Sequence, residues 1–150
     1  MNEPQLHNDL FFVCSVIEHI GRTTKNRRAD VVAAIGRDAL AHYIDLADVY
    51  HCEPIEYTAD EIINKYNITN GRFDNTIIKY RVPTVFDIAK VYKRLIVNIY
   101  ETNELAPVDA LIDVYSSWIS DKISNYESSM YYESPEYLYL SYLEGEPLKD

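Results

Sequence analysis

The sequence predicts an all-α, single-domain bundle of about six or seven helices, with at most one short extended segment. Three observations support this fold class. Apolar residues recur at steps of three and four along most of the chain, as they do on the buried face of a helix. The 150 residues include only four glycines, too few for the many turns of an all-β fold. The length fits one domain, which can bury about two thirds of the surface of its unfolded chain.

The first helix is predicted over residues 5–20 and is expected to lie at the centre of the core. Gly21 follows its last apolar residue, where a glycine most readily adopts a left-handed cap, so the helix is expected to end there. The apolar stripe consists of Leu6, Leu10, Val13, Cys14 and Ile17, widened by Phe11, Phe12, Val16 and Ile20.

Two shorter helices are predicted next. One carries Val31, Val32 and Ile35 and stops at Gly36. The other covers residues 38–51 and ends before Pro54, because proline has no amide hydrogen to continue a helix.

A fourth helix is predicted to begin at residues 58–61, where Thr58 and Glu61 have the spacing of a capping box, and to end near Gly71. Residues 76–82 (TIIKYRV) are β-branched and aromatic, which indicates an extended segment or short strand. No partner strand is evident, so no sheet is predicted.

Residues 84–87 (TVFD) have the same capping pattern and begin a fifth helix, which runs to about Glu101. Pro107 is suited to the first turn of a sixth helix, whose apolar side chains up to Ile123 are predicted to face the core. The first, fifth and sixth helices are therefore expected to build the core.

The chain changes character in its last 25 residues, which hold six of the 14 tyrosines. A short helix is predicted from Ser134 to Gly145, with Leu138, Tyr139, Tyr142 and Leu143 on one face. So short a helix is marginal in water and must dock on something. We therefore divide the chain into a helical core (1–126) and an acidic, tyrosine-rich segment (127–150), which either packs on the core or completes a homodimer.

The charge is unevenly distributed. The chain carries 24 acidic and 14 basic residues, a net charge of −10. Residues 1–99 contain 13 acids and 12 bases, whereas residues 100–150 contain 11 acids and 2 bases. The basic residues concentrate between Arg22 and Arg28 and on the fifth helix at Lys90, Lys93 and Arg94. The overall charge disfavours nucleic acid and anionic membranes as partners.

Two interpretations of the acidic end remain open. It is either a solvated surface that interacts with the basic faces of the same molecule, or a surface that binds a basic partner protein. Tyrosine favours the second interpretation, because it contributes a large contact area and a hydroxyl group at low entropic cost. The candidate partner-binding residues are Tyr131, Tyr132, Glu133, Tyr139 and Tyr142.

The basic cluster offers an alternative function. Arg22, Lys25, Arg27 and Arg28 could contact phosphate or nucleic acid. Residues 24–46 could form a helix-turn-helix, but the second helix would carry three aspartates and one arginine, which opposes DNA binding.

Sequence motifs for catalysis are lacking: the chain has no phosphate-binding glycine loop, zinc-protease motif or paired CxxC. We therefore expect no enzyme activity, catalytic residue, metal or cofactor. Cys14 lies in the apolar stripe and is expected to be an inert buried thiol. Cys52 with a distant histidine is the remaining enzymatic alternative. The absence of a leader or a long apolar run predicts a cytoplasmic protein.

The segments LFFVCSVIEHIG, ADVV and ALAHYIDLADVYHCEPIE give the first half a recognisable pattern. Over residues 8–63 the chain resembles a family of small, uncharacterised helical bacterial proteins of gut Firmicutes. Members of this family are often encoded beside toxin-like genes. The resemblance implies an antitoxin, immunity or accessory role, with a toxin-like protein as a partner, and it brings no catalytic residues to this chain.

Overall fold

Every regular element is helical in the computed structural model, which describes residues 3–149. The predicted all-α fold class is confirmed. The predicted helical core (1–126) and C-terminal segment (127–150) include residues 1, 2 and 150, which lie outside the described part. Within it, a 3-10 turn at Met130–Tyr132 accompanies nine α-helices: α1 (Glu3–Thr24), α2 (Arg28–Ile35), α3 (Arg37–Asp45), α4 (Ala47–Tyr50), α5 (Ile55–Lys65), α6 (Val85–Asn103), α7 (Pro107–Tyr115), α8 (Trp118–Ser124) and α9 (Pro135–Glu144).

Helix α1 forms the centre of the bundle, and helices α2 to α6 all pack against it. Helices α1 and α6 run in opposite directions. His7, near the start of α1, lies 3.3 Å from Glu101 near the end of α6, and Arg22 donates to the carbonyl of Pro83 just before α6 begins. Helix α7 packs on α6 in turn. The prediction that these three helices build the core is therefore confirmed. None of the described helices is long and apolar enough to cross a lipid bilayer.

The predicted end of α1 at Gly21 is wrong, because the helix continues for almost another turn. It ends instead with Lys25 in the left-handed conformation (φ +58°), and the amide of Asn26 donates to the carbonyl of Gly21 over 3.0 Å. Gly21 is needed for another reason. A Cβ atom there would lie 2.6 Å from both Nε and Nη1 of Arg28, whose side chain crosses α1 at this point.

Two helices that the sequence predicts as continuous are each divided in two. The helix predicted over residues 38–51 breaks at Leu46, and Ala47, which is fully buried, begins α4. The sixth predicted helix breaks at residues 116–117, where the Ser117 hydroxyl accepts a hydrogen bond from the Ile119 amide and caps α8. These two breaks account for nine helices where the sequence suggested seven.

Only one of the two predicted capping boxes is confirmed. The Thr84 hydroxyl and Asp87 carboxylate each accept a 3.0 Å hydrogen bond from the other residue's amide at the start of α6. The other capping box is wrong, since Thr58 is buried in the second turn of α5, which begins directly after Pro54.

Residues 66–84 form a long loop, so the fourth helix ends before Gly71 and residues 76–82 form no strand within residues 3–149. The loop is fixed to the turn after α1. The amides of Gly71 and Phe73 donate to the carbonyls of Thr24 and Lys25, each over 2.8 Å. Gly71 permits this approach, because a Cβ atom there would lie 2.6 Å from the Lys25 carbonyl oxygen.

Helix α9 begins and ends where the sequence predicts. The Ser134 hydroxyl caps its first turn, and Gly145 ends it with φ +85°. The helix docks on α6 of the same chain and buries Leu138 and Ser141. The predicted buried face is wrong in one respect, because Leu143 points to solvent and Ser141 lies inside.

Candidate functional site

The five predicted partner-binding residues differ in their solvent exposure. Tyr132 is 68% exposed, whereas the others are half-buried. Tyr131 packs edge-on against both Tyr126 and Tyr132, with ring centroids 5.7 and 5.0 Å apart. The structure therefore places Tyr131 partly in the packing of the C-terminal segment.

The two tyrosines of α9 in this set also contact the core. The Tyr139 hydroxyl lies 2.7 Å from the hydroxyl of Thr102 at the end of α6. Partial burial raises the pKa of Tyr142, and the nearby carboxylate of Asp113 raises it further. Both side chains therefore contribute to the docking of α9 and remain partly exposed to solvent.

The exposed surface of α9 is formed by residues that the sequence analysis did not select. Leu140 and Leu143 are 41% and 53% exposed. Glu136 and Glu144 are also exposed, and spacings of three and four place all four residues on one side of the helix. We call Glu136, Leu140, Leu143 and Glu144 the acidic apolar face. Sequence periodicity could not select it, because α9 (PEYLYLSYLE) is apolar on nearly every side.

The basic cluster of residues 22–28 is divided by the fold. Arg28 is 1% exposed and pairs with Glu18, while Nη2 of Arg27 donates to both carboxylate oxygens of Asp121 over 2.6 and 2.7 Å. Arg22 donates to the Pro83 carbonyl and lies over the Tyr126 ring. Lys25 is exposed. The four side chains therefore do not present four free cations at one surface.

A polar cluster lies inside the bundle around Glu18. One carboxylate oxygen accepts from Arg28 Nε over 3.2 Å, and the other accepts from the Tyr115 hydroxyl over 3.3 Å. The Tyr115 ring stacks on Tyr92, whose hydroxyl lies 2.8 Å from the hydroxyl of Ser120. Burial raises the pKa of Glu18, and the charge of Arg28 opposes part of that rise. The four interacting side chains Glu18, Arg28, Tyr92 and Tyr115 are at most 1% exposed, so the cluster has no surface on which a substrate could bind.

The two cysteines occupy opposite environments. Cys14 is fully buried, and its burial raises the pKa of its thiol to about 12. Cys52 is exposed, and its Sγ lies 3.7 Å from the carbonyl oxygen of Asp48. In the described residues no hydrogen bond joins Cys52 to an imidazole, and no group of three or more His, Cys, Asp or Glu side chains could hold a metal.

These environments predict a large difference in thiol reactivity. Because the thiolate is the reactive form, Cys52 should react with Ellman's reagent in the native protein and Cys14 should not. A Cys52→Ser variant should show no fast-reacting thiol until denaturant is added. Fast labelling of native Cys52→Ser would contradict the burial of Cys14. Labelling of Cys52 much faster than of a free cysteine peptide would indicate an activated nucleophile.

No family model, curated protein or solved structure matches the chain.

Proposed function

We propose that this chain is a non-enzymatic protein-binding module, antitoxin- or immunity-like or regulatory, that uses the acidic apolar face of α9. One observation carries the proposal: two large aliphatic side chains, Leu140 and Leu143, are exposed side by side between two glutamates. Exposed apolar side chains that cluster and are flanked by polar residues are typical of interaction surfaces. We further propose that the protein acts in the bacterial cytoplasm, where its two thiols remain reduced.

The fold prepares this surface for binding. Helix α9 is already formed and docked through Leu138 and Ser141, so a partner need not supply the free energy of ordering it. Tyr132, exposed in the 3-10 turn just before α9, offers a further aromatic contact.

The charge and apolar character of the surface favour one class of partner. Eleven acids and two bases in residues 100–150 create a negative field that attracts a positive surface. We propose that the partner, a toxin-like protein in the simplest case, presents an apolar groove flanked by lysine or arginine. Burial of the two leucines would supply affinity, and the flanking charges would accelerate association.

Capture of partners by the tagged full-length protein tests the proposal. Leu140→Ser/Leu143→Ser should weaken retention of the partner about tenfold or more, which corresponds to a combined contribution of the two leucines of at least about 1.4 kcal/mol. Glu136→Lys/Glu144→Lys should slow association. Val49→Ser/Leu105→Ser and Asp48→Lys/Glu53→Lys change equivalent exposed residues elsewhere and should have no effect.

The point variants are preferable to removing residues 127–150, because that deletion would remove the buried side chains of Met130 and Leu138 and expose the core residues that they cover. The proposal is supported by a captured protein with a basic surface that the leucine variant retains more weakly, that associates more slowly with the glutamate variant, and that both controls bind as the wild type does. Equal capture by all four variants, or a captured protein with an acidic surface, contradicts it.

A further inference from the structure

A cationic cleft lies where the start of α1, the middle of α6 and the start of α9 meet. Its volume is about 300 Å³, and it is lined by His7, Lys93, Arg94, Val97, Asn98 and Pro135. Three of these side chains carry basic nitrogen atoms, and no carboxylate is among them. The cleft shares no residue with the acidic apolar face of α9.

The two strongest bases of the cleft have no acidic partner within residues 3–149. Neither Lys93 nor Arg94 forms an ion pair there, although the chain carries 24 acids for 14 bases. By contrast, Arg27, Arg28 and Arg37 all pair with carboxylates. The His7 ring is held by Glu101 at 3.3 Å. An isolated pair of adjacent cations at a concave surface is electrostatically unfavourable until an anion binds between them.

The pKa of Lys93 is shifted in the direction that this cost predicts. Partial burial lowers the pKa of its ammonium group, and the nearby charges of Arg94 and Lys90 lower it further. The fold thus withdraws a cation from water and places like charges beside it. The attraction of a bound anion would offset both effects on the pKa of Lys93.

We propose that this cleft binds the phosphate group of a small molecule. Arg94 can donate two parallel hydrogen bonds to phosphate oxygens, Lys93 supplies a compact positive charge, and the Asn98 amide supplies a neutral donor. The volume of the cleft is at the lower limit for ligand pockets. It is larger than a phosphate ion and leaves space for a short ester substituent against Val97 and Pro135. The free ion and a small phosphate ester share this chemistry.

Titration of the isotope-labelled full-length protein tests the proposal. Inorganic phosphate and glycerol phosphate are added separately at constant ionic strength, and amide resonances are followed by NMR. Saturable shifts are expected at His7 and at residues 93–98. Lys93→Met and Arg94→Gln should each weaken affinity about tenfold, because each removes a charge-assisted hydrogen bond. Lys90→Gln is the matched control, since it removes the same charge from the same helix outside the cleft.

Each outcome decides the proposal. Saturation by either compound supports the site. The compound that binds more tightly shows whether the ligand is a phosphate ester or the free ion. Shifts that do not saturate, or equal weakening by Lys90→Gln and Lys93→Met, show only general charge attraction and overturn it. Because α9 surface variants are not used here, failure of this test leaves the proposed protein-binding function unaffected.

Discussion

Replacement of Arg28 by methionine is expected to lower the free energy of unfolding by about 3–5 kcal/mol, because it leaves Glu18 buried without its partner. Arg28 is 1% exposed and Glu18 is fully buried, so water cannot replace the lost interaction. Urea unfolding followed by circular dichroism measures the change. The matched control is Arg27→Met at the neighbouring position. It breaks the exposed ion pair of Arg27 with Asp121 and should cost at most about 1 kcal/mol.

The double variant Glu18→Leu/Arg28→Met separates loss of the ion pair from loss of packing. It removes both charges and fills similar volume, so it should recover most of the stability lost in Arg28→Met. If the single variant does not fold, Glu18→Gln offers a milder change, since the amide can still bond to Arg28 and Tyr115. A double variant that is no more stable than Arg28→Met would contradict the view that an uncompensated charge causes the loss.

The stability lost in Arg28→Met should also depend on pH in a defined direction. Burial raises the pKa of Glu18 above its ordinary value of 4.5 in the folded protein, and Arg28 opposes that rise. A carboxyl with a raised folded-state pKa favours folding below its unfolded pKa and loses that contribution as the pH increases. Arg28→Met removes the opposing charge. Its deficit relative to the wild type should therefore be smaller near about pH 5 than near about pH 8.

The starts of α6 and α9 follow from the sequence because each helix carries clear local signals there. Helix α6 has both an apolar stripe and the capping box at Thr84, and α9 has Ser134 and Pro135 at its start. The breaks at Leu46 and Ser116 could not be predicted, because the residues on each side continue the same apolar periodicity. The two halves of the first broken helix differ in their packing: α3 and α4 both contact α1, and α3 packs on α7 as well.

The candidate site was only partly predictable for a related reason. The sequence identifies an acidic, tyrosine-rich end, but α9 offers apolar side chains all around its axis, so composition alone cannot decide which side docks. The buried pair was more accessible to sequence reasoning. Leu10, Cys14 and Glu18 follow one another at four-residue steps, which places a glutamate on the buried stripe of α1. A carboxylate in that position requires a buried partner, although only the fold identifies it as Arg28.

Gly21→Ala is expected to destabilise the protein by about 1–3 kcal/mol, against the usual preference of helices for alanine. Within a helix this change normally gains about 1 kcal/mol, because glycine has the larger conformational entropy to lose. Here the new Cβ atom would lie 2.6 Å from Nε and Nη1 of Arg28. That side chain cannot move aside freely, since it is held by Glu18 at 3.2 Å and by the Asn26 carbonyl at 3.0 Å.

A double-mutant cycle isolates this cause. In the Glu18→Leu/Arg28→Met background the guanidinium is absent and the methionine methyl has no polar partner to hold it, so Gly21→Ala should cost much less or become stabilising. Chemical denaturation of the four proteins gives the coupling free energy. The same loss in both backgrounds would show that residue 21 clashes with something other than Arg28. A gain in the wild type would show that α1 and Arg28 are not packed as closely as the structure places them.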